Sequence, residues 1–191
     1  MLCQLKVDDE YETPAVAWAL ILQYLDKSYK IWDPFYASGR AADFITSHGF
    51  HVEHHNKDFF EWQPKEWDMV ISNPPYSKKK QVLQRLVELG KPFALLIPIT
   101  TIATKYFISM FKGTFFRLLL PPKRFHFLKN GVQTTACAFE TCWLCVGLNE
   151  QIDRFFPATQ QIIYLNEPSA SLALNATHDQ KEEEEGSSAH Y

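Results

Sequence analysis

Residues 29–60, YKIWDPFYASGRAADFITSHGFHVEHHNKDFF, decide the fold. An apolar stretch ends near Trp32 and is followed by a turn through Gly39. The spacing then predicts a helix from about Arg40 to Ser47 and a second strand at about His51 to Glu53. Two short strands joined by a helix form one βαβ unit, the connection that parallel strands require. Toward the N-terminus, YETPAVAWALILQYLDKS (11–28) opens on Thr13-Pro14, read as a cap followed by proline at the first helical position, and predicts a helix over about Pro14–Leu25.

Toward the C-terminus the alternation continues. WDMVISN (67–73) reads as a strand running into a proline-rich turn, and KKKQVLQRLVELG (78–90) as a helix stopped by Gly90. FALLIPI (93–99) is a continuous apolar run of the kind buried on both faces of a parallel sheet. A helix near Ala103–Phe111 precedes two further apolar runs, FFRLLLP (115–121) and TACAFETCWLCVGL (135–148), joined by the basic-aromatic loop PKRFHFLKNGVQ (122–133). This order predicts an α/β fold, a doubly wound, mostly parallel sheet closed by a C-terminal antiparallel strand pair.

With 191 residues, 46% hydrophobic and 15% aromatic, the chain suits a single compact domain, taken as residues 1–156. Residues 157–191, ending in an acidic run and small polar residues, are expected to be a disordered tail. The net charge of −3 averages two unlike parts. Residues 1–149 hold 17 Lys and Arg against 14 Asp and Glu, whereas residues 150–191 hold 2 against 8. The mildly basic part permits a phosphate-bearing partner without demanding one.

No apolar run is long enough for a membrane span and the charged N-terminus lacks a signal-peptide core. The expectation is a soluble intracellular protein, cytoplasmic or nuclear, with no membrane partner. Cys3, Cys137, Cys142 and Cys145 read as reduced thiols. The Cys142-x-x-Cys145 pair lies within a strand and lacks a second ligand pair, so no metal site is expected, and His48, His51, His54 and His55 read as surface residues.

The sharpest chemistry sits in Asn73-Pro74-Pro75-Tyr76, placed at the carboxyl end of a strand, where open α/β sheets bind ligands. Two prolines fix the backbone and donate nothing. An Asn73 side-chain oxygen and the Pro74 carbonyl could each accept an N–H from a planar amino group such as that of adenine. The nitrogen would then pyramidalise and present its lone pair to a methyl donor. Tyr76 would stack on the base, holding it out of the helix.

On this tetrapeptide the chain resembles the amino-methyltransferases, in particular the N6-adenine DNA methyltransferases, over residues 9–148. The resemblance implies a class I methyltransferase fold of Rossmann-like type, S-adenosyl-L-methionine as cofactor, and Asn73, Pro74, Pro75 and Tyr76 as the catalytic motif. Asp33-Pro34-Phe35-Tyr36-Ala37-Ser38-Gly39 resembles the family's donor-binding turn, implicating Asp33, Pro34, Phe35 and Gly39. Ala37 stands where that family has glycine. Asp58-Phe59-Phe60 resembles the segment that holds the donor's adenine, with Asp58 accepting and Phe59 packing on the ring.

For the ribose hydroxyls the resemblance points to an acidic residue at the end of the second strand. Glu53 is the nearest carboxylate, with His54 and Asn56 as alternative strand-end residues. Asp9-Glu10-Tyr11-Glu12-Thr13-Pro14 resembles the segment that closes over the methionine moiety and suggests Tyr11 and Thr13 as donor contacts, although a helix cap explains Thr13 equally.

Lys78, Lys79 and Lys80 follow the motif, and Lys123, Arg124, His126 and Lys129 interleave with Phe125 and Phe127. Both clusters read either as contacts to an unstacked nucleic-acid strand or as solvated faces. DNA is the favoured partner and RNA the alternative, with a protein partner or low specificity making up for the lack of a target-recognition domain. The same motif also serves cytosine N4 and protein glutamine, and the fold serves catalytically inactive nucleic-acid-binding subunits.

Overall fold

The computed structural model describes residues 11–36, 38–129, 132–133 and 140–168. Ala37, Cys3, Cys137, the Asp9-Glu10 start of the N-terminal motif, the 134–139 part of the late strand and the 169–191 part of the tail lie outside the described residues. The strands are β1 (Lys30–Trp32), β2 (His51–Glu53), β3 (Met69–Ser72), β4 (Phe93–Pro98), β5 (Phe116–Leu120), β6 (Leu128–Lys129), β7 (Val132–Gln133), β8 (Thr141–Val146) and β9 (Ile162–Tyr164). The helices are α1 (Ala15–Leu22), α2 (Arg40–Ser47), α3 (Lys79–Leu89), α4 (Lys105–Met110) and α5 (Asn149–Ile152).

Seven strands make one sheet in the order β2-β1-β3-β4-β8-β5-β9, and β6-β7 form a separate two-stranded ribbon. β1 pairs in parallel with both β2 and β3, and β3 with β4. β8 runs antiparallel to β4 and β5 and lies between them. The expected antiparallel pair is therefore present, inserted into the sheet rather than appended to it. β1 has β2 on one side and β3 on the other, the chain crossing back over β1 between them. Their carboxyl ends thus flank a topological switch point, where such sheets open a crevice.

Each face of the sheet carries its own apolar layer. One gathers Trp18, Leu20 and Ile21 of α1, Phe44 and Ile45 of α2 and Ile152 of α5 against Ile31, Met69, Ile71, Ala94, Leu96 and Trp143. The other gathers Val82, Leu83 and Leu86 of α3 and Phe107 of α4 against Trp32, Val70, Leu95, Ile97 and Cys142. All six residues of β4 are buried, which is why its sequence shows no alternation. Each such aliphatic side chain contributes about 1.5–3 kcal/mol. Trp143 Nε1 donates to the Ala17 carbonyl at 3.1 Å and its ring lies 5.5 Å from that of Trp18, pinning α1 to the centre of the sheet.

Two boundaries differ from the sequence expectation. α1 starts at Ala15 with Pro14 in the N-cap position and no side-chain cap bond. Thr13 therefore does not cap it. Residues 157–165, expected in the tail, continue the fold: β9 extends the sheet in parallel with β5, and Ile163 and Leu165 are buried. The buried Arg117 of β5 anchors the approach by donating to Asp153 and, at 3.0 Å, to the Ala158 carbonyl. An unpaired guanidinium inside the protein would cost several kcal/mol.

Candidate active site

β3 delivers Asn73 to the switch point directly after Ser72. The Asn73 Oδ1 atom is buried and has no hydrogen-bond partner. Buried side-chain acceptors are nearly always paired, so such an atom is an acceptor awaiting a donor. Pro75 accepts from Lys78 N at 3.0 Å through its carbonyl. Tyr76 opens a 3-10 turn over Tyr76–Lys78, and Lys79 Nζ donates to its carbonyl at 3.0 Å. The unpartnered Asn73 Oδ1 thus precedes a backbone that two prolines stiffen.

Across the crevice, β1 ends in the turn that leads to α2. Gly39 occupies the α2 N-cap position at φ 88°, the left-handed region that a side chain resists. Among the described residues the nearest atom to a Cβ built there is Tyr36 Oη at 4.0 Å, so glycine is needed for its backbone conformation. At the start of α2, Arg40 N donates to Ser38 Oγ at 3.5 Å. Arg40 bonds Glu12 at 3.2 Å, which ties the helix start to the N-terminal segment.

Asp33 is 2% exposed and its carboxylate is turned inward. Ser72 Oγ donates to Oδ1 in a short bond, and His54 Nδ1 lies 3.2 Å from Oδ2 and 2.9 Å from the Asp33 carbonyl. Burial pushes the His54 pKa down, but the hydrogen bond and charge of Asp33 outweigh it and the net shift is upward. Tyr36 stacks on the imidazole at 4.7 Å. His54 is therefore not a surface residue. Neither is His48, buried against Phe44 at 4.1 Å with Nδ1 2.8 Å from the Phe44 carbonyl, whereas His51 and His55 are exposed.

The remaining candidates spread along the rim. Pro34 is buried and Phe35 half-buried, with the Phe35 ring 5.1 Å from Phe59. Phe59 is buried and lies 5.4 Å from Trp32. Asp58 is exposed and closes its own turn, accepting from Phe60 N at 2.7 Å. Glu53, half-buried at the β2 end, accepts from His55 Nε2 at 2.8 Å. Tyr11 is half-buried under Lys129 Nζ, 5.6 Å from its ring centroid, and Thr13 is half-buried.

Glu12 and Leu128 exchange backbone hydrogen bonds at 2.8 and 3.0 Å. The N-terminal segment and the late loop therefore form one unit above the sheet. Of the basic residues in the late loop, Lys123 pairs with Glu167 and Arg124 with Glu140, both at 2.8 Å; after the tetrapeptide, Lys78 lies 5.7 Å from the Phe60 ring centroid. Phe125 and Phe127, expected to meet bases, are buried in the core. Cys142 and Cys145 are free and buried. Among the described residues no cluster could hold a metal ion, and no helix is long and apolar enough to cross a membrane.

A Listeria monocytogenes protein described as a class I S-adenosylmethionine-dependent methyltransferase is similar in structure, with a TM-score of 0.53 at 12% identity over 93% of this chain and 72% of that one. A predicted O-methyltransferase from Agrobacterium tumefaciens aligns with a TM-score of 0.43 at 12% identity over 80% and 84% of the two chains. No protein-family model matches the sequence, and a search among curated proteins finds no match. The Listeria likeness shows the fold: a Rossmann-like, class I methyltransferase sheet.

Proposed function

We propose that the protein is an S-adenosyl-L-methionine-dependent methyltransferase that methylates an exocyclic amino nitrogen, with adenine N6 in DNA as its target. The observation that carries this reading is the buried, unpartnered Asn73 Oδ1 at the end of β3. The turn from Asp33 to Gly39 and the N-terminus of α2 fit the donor. The positive end of the helix dipole suits a carboxylate, and Gly39 provides the left-handed turn that opens α2.

Bound S-adenosyl-L-methionine supplies an activated methyl group. Asn73 Oδ1 and the Pro74 carbonyl accept the two amino protons, which localises the nitrogen lone pair without a strong base. Tyr76 supports the flipped base by stacking, and one proton leaves to solvent after transfer. Phe59 and Asp58 serve the donor's adenine, Glu53 its ribose, and Tyr11 and Thr13 close over its methionine end. Asp33 shapes the turn from inside. Exposed Lys78 and Lys80 follow Tyr76 and suit phosphates; the preference for DNA over RNA rests on the resemblance of the late loop and N-terminal segment.

The test is transfer of labelled methyl groups to duplex DNA, single-stranded DNA, structured RNA and protein extract in parallel, with Asn73→Ala as control. Asn73-dependent label in DNA supports the proposal. Label in RNA or protein moves the substrate, and neither transfer nor donor binding overturns it in favour of a binding subunit.

A further inference from the structure

We propose that His54 is a positioning residue that locks the donor turn to the strand carrying Asn73, through the chain His54–Asp33–Ser72. This rests on the reading of the turn as the donor site. The three residues end three neighbouring strands. Asp33 follows β1, Ser72 closes β3 and His54 follows β2, so one chain of hydrogen bonds crosses the switch point from edge to catalytic strand.

The Nδ1 atom of His54 serves both the Asp33 carbonyl at 2.9 Å and its Oδ2 at 3.2 Å, fixing backbone and side chain of the turn together. The opposite carboxylate oxygen takes Ser72 Oγ, and Ser72 is the residue before Asn73. Side-chain exposures of 8% for His54 and 2% for Asp33, with 1% for Ser72, keep water from competing. Hydrogen bonds to a charged group inside a protein are the strong ones. Tyr36 covers the imidazole, and its Nε2 is buried without a partner.

The hydrogen bond to Asp33 and the charges of Asp33 and Asp43 hold the His54 pKa up against burial. The neighbouring carboxylate of Glu53 is engaged by His55. The cationic imidazole thus strengthens the lock, and the lock loosens as pH rises through the raised His54 pKa. The sign follows from linkage: whatever raises a folded-state pKa is lost on deprotonation.

The experiment follows His54 by NMR titration of its imidazole together with the backbone amides of Asn73 and Gly39, in the full chain and in His54→Gln, alongside calorimetry with S-adenosylhomocysteine. The expected result is that both amides titrate with the His54 midpoint, and that affinity falls about tenfold across it. In His54→Gln both pH dependences vanish. Amides that do not follow His54, or a His54→Gln profile identical to the parent, overturn the lock. If S-adenosylhomocysteine binds at no pH, the donor reading fails, while the amide titration still decides the lock.

Discussion

Removing Asn73 should separate activity from stability in a way that an ordinary buried residue cannot. Its Oδ1 is buried and unpartnered, so it contributes no hydrogen bond to the folded state. Instead it carries a desolvation cost of about 1–3 kcal/mol. Asn73→Ala relieves that cost and gives up some packing of a half-buried side chain. The net change should lie within about 1 kcal/mol, a Tm shift of roughly 2–4 °C at most for a chain of this size.

Catalysis should respond differently. A preorganised hydrogen-bonding group acting on the reacting centre is typically worth about 10²–10³ in kcat, near 3–4 kcal/mol. Asn73→Ala should therefore lower kcat for methyl transfer by that factor while leaving donor affinity unchanged. Asn73→Asp, which keeps an acceptor oxygen at the Oδ1 position, should lose less. Single-turnover transfer of labelled methyl, read beside thermal unfolding, makes the comparison. Full activity in Asn73→Ala would refute the reasoning. A Tm loss well beyond about 4 °C would show instead that Asn73 is structural.

Gly39→Ala should destabilise the fold by roughly 1–3 kcal/mol in urea titrations, because φ is 88° and the surrounding space is open. Ile163→Ala should cost about 2–5 kcal/mol, since Ile163 is fully buried; a neutral effect would return residues 157–165 to a tail. Cys142, whose thiol burial pushes up to about 12, and Cys145, pushed up by burial further, should resist alkylation in the native protein at pH 8 and react only after unfolding. Because the folded-state pKa of His54 is raised, its contribution to stability is fully present below the ordinary imidazole value and lost as pH rises through the raised one. Thermal unfolding should show a decline over that window which His54→Gln lacks.

The elements were legible where local pattern and burial agree. The Arg40–Ser47 helix and the His51–Glu53 strand fall at the residues that periodicity predicts, and Gly90 ends α3 at φ 67°. Order in space was less legible. Nothing in TCWLCV tells that β8 inserts between β4 and β5, because a strand buried along its length reads the same whichever neighbours it has. β9 escaped because three residues with one buried side chain resemble an irregular segment.

At the site, the Asn73 tetrapeptide was visible from composition alone, since Asn-Pro-Pro-Tyr constrains its own backbone. The lock was not. Ser72 and Asp33 are 39 residues apart and His54 and Asp33 are 21 apart, so only the folded sheet brings them together. A signal did exist: a histidine directly after a strand that neighbours Asp33 is placed to bond it. The late loop misled in the opposite direction. Its cations read as free in sequence, yet Lys123 and Arg124 have carboxylate partners and its phenylalanines are core residues.

The central claim is tested most directly by mass spectrometry of nucleosides released from DNA after incubation with the protein and isotopically labelled S-adenosyl-L-methionine. The account predicts labelled N6-methyladenine with the native chain and at least about a hundredfold less with Asn73→Ala. Methylated adenine at equal levels in both, or none with either, would contradict it.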